Sequence, residues 1–157
     1  MGKVFTSGLF LVNKDNKILI GRATFSTPEM WSIPKGKIEE GEESFDAAIR
    51  ETYEETNINL LGLDLNYNTL PIQTYTHKKK ALVPFVLFEI DNPGLDFNSF
   101  DIKCNSNVPE ERGNFPEMDA YAFKSIDELI EGELIHYTQM ACLDTIEKLI
   151  ELTWMRK

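Results

Sequence analysis

Three glutamates stand behind Arg50 in the run Arg50-Glu51-Thr52-Tyr53-Glu54-Glu55. If residues 44–56 are helical, spacings of three and four gather Glu51, Glu54 and Glu55 on one face. Like charges at that spacing repel and weaken an isolated helix. The arrangement becomes favourable when a cation sits among them, and carboxylates with water suit Mg²⁺, or Mn²⁺ as its substitute. The plain alternative is a solvated acidic helix face. Two features oppose it. The other face carries Phe45, Ala48, Ile49 and Thr52, a compact stripe for packing on a core. Ahead lies Trp31-Ser32-Ile33-Pro34-Lys35-Gly36, a strand-like run ending in a glycine turn.

This stretch resembles the box of the Nudix hydrolases, G-x5-E-x7-R-E-U-x-E-E-x-G-U, where U is a bulky aliphatic residue. Gly36, Glu42, Arg50-Glu51, Glu54-Glu55 and Ile58 fill its positions. Thr52 stands where an aliphatic residue is usual, and Asn57 replaces the glycine after the helix. Neither departure removes a charge, and Asn is the next-best residue for a left-handed helix stop. The resemblance implies an α/β fold: an α/β/α sandwich with a central mixed sheet and a loop–helix–loop catalytic box. It implies that Glu51, Glu54 and Glu55 hold Mg²⁺, with the Gly36 carbonyl as a further ligand. Arg50 and Glu42 then pair to hold the loop against the helix, a structural task.

Other residues follow from the same resemblance. Trp31 and the Pro34-Lys35-Gly36 step border the substrate pocket in the family, which makes Lys35 a candidate phosphate contact and Arg22 a weaker one. Related members carry a tyrosine and then a lysine entering a strand, so Tyr75 and Lys80 are the candidates here. Glu117, followed by Tyr121 and Phe123, resembles a step in two branches, asymmetric diadenosine tetraphosphate hydrolases and bacterial RNA 5′-pyrophosphohydrolases. There a glutamate approaches the metal from a loop opposite the helix. Glu117 is therefore the candidate extra ligand or general base, beside Glu54 and Glu55, with Glu110 and Glu111 as competitors.

Composition sets the frame. The 157 residues suit one domain, 1–157, and the net charge of −10 disfavours a protein that grips nucleic acid electrostatically. A polyphosphate remains acceptable because the metal supplies local positive charge. No run is long and apolar enough to span a bilayer, and none reads as a signal peptide. Cys104 and Cys142 lie far apart without metal-like spacing and read as thiols of a reducing cytoplasm. Met1-Gly2 with Thr6 fits the loose myristoylation pattern, but the same residues open an apolar first strand.

The elements that must position these groups are read in order. Residues 3–13 and 18–22 read as a hairpin about the polar turn 13–17, and 30–34 as a short strand into the box. Residues 60–65 and 70–75 are strand candidates, followed by the basic turn Thr76-His77-Lys78-Lys79-Lys80. Residues 81–90 form a strong strand in which Pro84 suggests an edge or bulge. Residues 91–116 lack periodicity and read as a lid, an insertion or plain spacing. Ser125, with Glu128 three residues on, reads as a capping box, and Thr138 as the cap of a last helix. His136 reads as structural or pocket-edge.

The expected activity is Mg²⁺-dependent hydrolysis of a phosphoanhydride in a nucleoside diphosphate-linked small molecule, a dinucleoside polyphosphate first. The RNA 5′ end is the runner-up, and nucleoside triphosphate or ADP-ribose remains open. DNA and membrane partners are excluded. A nucleotide-binding module without turnover is the contrasting class; such proteins lose box carboxylates, and this one keeps them.

Overall fold

The computed structural model describes residues 2–155. Met1 of the myristoylation pattern lies outside them. A mixed sheet is the backbone of the fold. Strand β1 (Val4–Val12) runs parallel to β7 (Lys80–Phe88), in register from Val4↔Lys80 to Val12↔Phe88. On its other side β1 meets β2 (Ile18–Ala23), which pairs antiparallel with β3 (Trp31–Ser32) and β8 (Met118–Lys124). Strand β4 (Lys35–Lys37) pairs with β1, and β5 (Asn68–Thr69) and β6 (Gln73–Thr74) pair with β7.

Strand alternation sends one side chain up and the next down, and here it builds two cores. Leu9, Leu11, Phe85 and Leu87 join Ala48 and Ile49 of α1 (Ser44–Thr56) on one face. Phe10, Val12, Val86 and Phe88 join α2 (Ile126–Glu131) and α4 (Leu143–Met155) on the other. Between those helices lies α3 (Tyr137–Met140). The sandwich is therefore helix, sheet, helix. Both faces of β1 and β7 are covered in their second halves, which is why Leu9–Val12 and Phe85–Phe88 are continuously apolar.

Local expectations meet the structure unevenly. Helix α1 spans 44–56, and Asn57 stops it at φ 66° with its N–H on the Tyr53 carbonyl. Thr52 is fully buried, and its hydroxyl donates to Ala48 O at 2.7 Å, so the polar atom at an aliphatic position is satisfied. The capping box of Ser125 and Glu128 is present in full. Residues 60–65 form no strand: Leu60 is buried, but Leu61 is 78% exposed and Gly62 turns the chain at φ 80°. Of the 70–75 run only Gln73–Thr74 is a strand, β6, while β5 forms earlier, at Asn68–Thr69. Pro84 occupies a central strand. Its carbonyl accepts from Leu70 N–H, so the side lacking an N–H faces the interruption between β5 and β6. The cap before α3 is His136, whose side chain accepts from Thr138 N–H, and not Thr138.

Residues 91–116 are not a free lid. Leu95 and Phe97 are buried in the α1-side core, with Phe100 and Ile102 packed against it. Further on, Lys103 N–H donates to Thr56 O and Asn105 N–H to Glu54 O. The segment thus covers the core and then satisfies carbonyls at the end of α1, which helices leave without partners.

Candidate active site

The end of β4 and the flank of α1 bring the box together. Gly36 lies so close to the Glu51 carboxylate that a Cβ there would overlap it. Only glycine leaves that carboxylate its place. Arg50 organises the rest. Its Nε and Nη2 donate to the two Glu42 oxygens at 2.8 and 3.0 Å, the paired geometry of guanidinium on carboxylate. Nη2 also donates to Lys37 O at 2.9 Å, and Nη1 reaches Glu51 at 2.8 Å and Glu54 at 3.1 Å. Arg50 therefore ties the loop to the helix and is also the counterion for two of the acidic groups.

Glu55 is the deepest of the box carboxylates, 5% exposed, and accepts from Lys35 N–H at 3.1 Å. Burial pushes its pKa well above the ordinary value, and the neighbouring charges of Glu51 and Glu117 add to this. Burial raises Glu51 too; Arg50 opposes, while Glu54 and Glu117 reinforce it. Glu117 is raised by burial and then by Glu54. The carboxylates from α1 and from the loop before β8 thus feel one another's charge.

Among the described residues, no three His, Cys, Asp or Glu side chains form a ready-made metal-binding set. Glu51 and Glu54 are both bonded to Arg50 Nη1. The chemistry of the donors nonetheless fits a hard divalent cation. They are carboxylate oxygens, Glu55 buried and Glu51 partly so and both costly to ionise alone, beside a glycine that leaves the Glu51 carboxylate room.

A cleft of about 290 Å³ opens over this face. Lys35, Glu55 and Glu117 line it, together with Trp31, Tyr75, Lys80 and His136. Lys78 and Gln139 line it as well and were not singled out in the sequence. Lys78 was legible only as one of three consecutive lysines. Gln139 carried no sequence signal; it is fully buried, accepting from Ile33 N–H and donating to Ser32 Oγ, and so joins α3 to β3. Lys80 sits 4.9 Å from the Tyr75 ring centroid, and burial followed by Lys35 and Lys78 lowers its pKa. Tyr121 donates its hydroxyl to Glu55 O, supporting the end of α1 from the sheet.

Arg22 is a correction. Its guanidinium donates to Asp119 at 2.8 Å and Glu29 at 3.1 Å, and it does not line the cleft. Two carboxylates already use the fork that a phosphate would need. Glu110 and Glu111 lie exposed in the short turn Glu110–Arg112, away from the cleft that Glu117 lines. A larger hollow of about 630 Å³ lies between β5, β7 and α4, lined mainly by amides and apolar groups such as Tyr67, Phe88 and Leu149. It holds no lysine and none of the box acids, so size alone misleads about the chemistry.

The family profile described as NUDIX domain matches residues 3–138. The chain belongs to the Nudix family. An RNA pyrophosphohydrolase of Rhizobium meliloti is 28% identical over 145 residues, covering 83% of this chain and 80% of that one. One from Sphingopyxis alaskensis is 42% identical over 53 residues, 34% of each chain. Most of the relatives carrying that name match over only about a third of their length. Among solved structures, the C. elegans Ap4A hydrolase binary complex aligns at TM-score 0.66 and 21% identity, covering 94% of this chain and 98% of that one. The Methanosarcina mazei MutT protein aligns at 0.63 and 15%, covering 94% of each. These likenesses carry the Nudix fold, an α/β architecture with the sheet between helices.

Proposed function

We propose that this Nudix protein hydrolyses phosphoanhydride bonds in nucleoside 5′-polyphosphates with the help of a divalent cation, Mg²⁺ first and Mn²⁺ as substitute. The observation that carries this reading is the cleft itself. Glu55 of the box and Glu117 line one opening with Lys35, Lys78 and Lys80. Glu51, Glu54, Glu55 and the Gly36 carbonyl would hold the cation. When bound, it neutralises phosphate oxygens and makes a water molecule acidic enough to attack.

The chain's own groups do the remaining work. Lysines along the basic wall hold and orient the polyphosphate as point charges. Glu54, 38% exposed at its side chain, or Glu117, which lines the cleft, would take the proton from the attacking water. Arg50 and Glu42 keep the loop on the helix. The finer reading is a dinucleoside polyphosphate, because Trp31, Lys35, Tyr75 and Lys80, the residues behind that resemblance, all line the cleft. The RNA 5′ end is the second reading, favoured by the Rhizobium relative's name and coverage. The free thiols of Cys104 and Cys142 suit a reducing setting such as the cytoplasm.

The test is turnover of diadenosine tetraphosphate, ATP, ADP-ribose and a 5′-triphosphorylated RNA oligonucleotide with Mg²⁺ or Mn²⁺. The expected result is metal-dependent hydrolysis that Glu55→Gln lowers by about a hundred- to ten-thousandfold in a folded protein. Binding without turnover, across both metals and all substrates, refutes the hydrolase.

A further inference from the structure

Resting on the dinucleoside reading above, we infer that Phe25 and Phe115, carried just beyond Ala23 and Met118 that line the cleft on the side away from Tyr75, form a second nucleobase platform.

Phe25 is 74% exposed and holds φ at 59°. A bulky aromatic residue in left-handed backbone is strained, and burial does not offset the strain here. The loop is nevertheless closed firmly beneath it. Ala23 N–H donates to Met30 O at 2.8 Å, Ser26 Oγ donates to Ala23 O at 2.7 Å, and Met30 N–H donates to Ser26 Oγ at 2.9 Å. The backbone thus holds a ring outward. Phe115 meets that ring edge-on, with centroids 4.8 Å apart and planes at 62°. Phe115 is itself seated on Gly113, which stands at φ 116° and leaves room that a Cβ, at 3.0 Å from the ring, would restrict. An edge contact leaves a face of Phe25 free for stacking.

The position relative to the chemistry follows from the sheet. Thr24 N–H donates to Glu117 O at 3.1 Å, which ties the Phe25 loop to the backbone of the cleft acid. Strands β2 and β8, which carry this platform, lie on one side of β1; β7 and β6, which carry Tyr75, Lys78 and Lys80, lie on the other. Glu55 and Lys35 come between, from α1 and from β4 on β1. Base–aromatic stacking is tolerant of base identity. A substrate with a base at each end of a polyphosphate is the class that places one base on each wall and its anhydrides between them.

The test compares diadenosine tetraphosphate with adenosine 5′-tetraphosphate, which has the same phosphates and one base. Phe25→Gly removes the ring and suits the backbone angle. It should raise KM for the dinucleotide about five- to tenfold, leave KM for the mononucleotide within about twofold, and leave kcat little changed. Phe25→Tyr should restore the wild-type value. An equal effect on both substrates, or none, overturns the platform. A loss confined to a triphosphorylated RNA dinucleotide would assign the ring to RNA and also overturn it. Calorimetry with a non-hydrolysable dinucleoside tetraphosphate reads the same contrast if turnover is absent, so the platform and the hydrolase fail separately.

Discussion

Two walls of the cleft are built on opposite principles. The acidic wall is Glu55, on a helix flank locked by one arginine, and each box glutamate beside it has a named partner or a buried seat. The basic wall is a turn of consecutive lysines, which repel one another and need outside support. That support comes from α3. Tyr137 accepts from Thr76 N–H at 2.6 Å, and the His136 ring stacks on Tyr75 at 4.9 Å. The lesson concerns division of labour. Where charges are buried, geometry is set within one contiguous segment; where they are solvated, it is set by a distant element.

Metal binding breaks the comparison most strongly. Glu51, Glu55 and Glu117 have folded pKa values raised above the ordinary 4.5. Their protonated forms therefore favour the metal-free fold. That contribution is fully present below the ordinary value and is lost as pH rises through the raised ones. A cation must displace those protons, so its affinity should climb about tenfold per pH unit for each proton released. Calorimetric titration with Mg²⁺ or Mn²⁺ across this window checks it; a flat profile contradicts the arrangement. EDTA should abolish turnover at every pH.

Removing the arginine comes next. Arg50→Met leaves Glu42, Glu51 and Glu54 without their shared donor and should destabilise the metal-free protein by about 2–3 kcal/mol, the worth of charged hydrogen bonds. Denaturant melts measure it. Saturating Mg²⁺ should recover part of the loss, because the ion takes over the counterion task for Glu51 and Glu54 and leaves only Glu42 unserved.

The smallest effect belongs to the basic wall. Tyr137→Phe deletes one hydroxyl and should loosen the 75–80 turn, raising KM about fivefold, from a hydrogen bond worth about 1 kcal/mol, with kcat almost unchanged. Faster exchange of the Thr76 amide hydrogen would accompany it. If kcat falls instead, the turn does more than hold substrate.

Legibility in the sequence follows the same line between local and distant. The Glu42–Arg50 pair, the α1 limits and the Asn57 stop all depend on residues within one segment; the pair is the one the family resemblance implied, and the helix limits and stop are where residue spacing and type placed them. Arg22 was misread because a lone arginine shows its charge but not its partners; Asp119, nearly a hundred residues on, claims it. The 60–65 run was misread because leucines mark burial in general. Here only Leu60 goes inward before the chain turns at Gly62. Residues 91–116 read as lid, insertion or spacing alike because their anchors, Leu95, Phe97, Phe100 and Ile102, follow no single period.

The sequence alone determined the acidic helix, its capping and the order of strand and box, because hydrogen bonds and charge repulsion over one or two helical turns depend on neighbours in the chain. Tertiary structure decided which cations face those acids, which loops carry aromatic rings to the rim, and that Glu117 rather than Glu110 or Glu111 reaches the cleft. Those outcomes depend on sheet order, which brings β2, β8 and β7 to either side of β1 from far-separated parts of the chain.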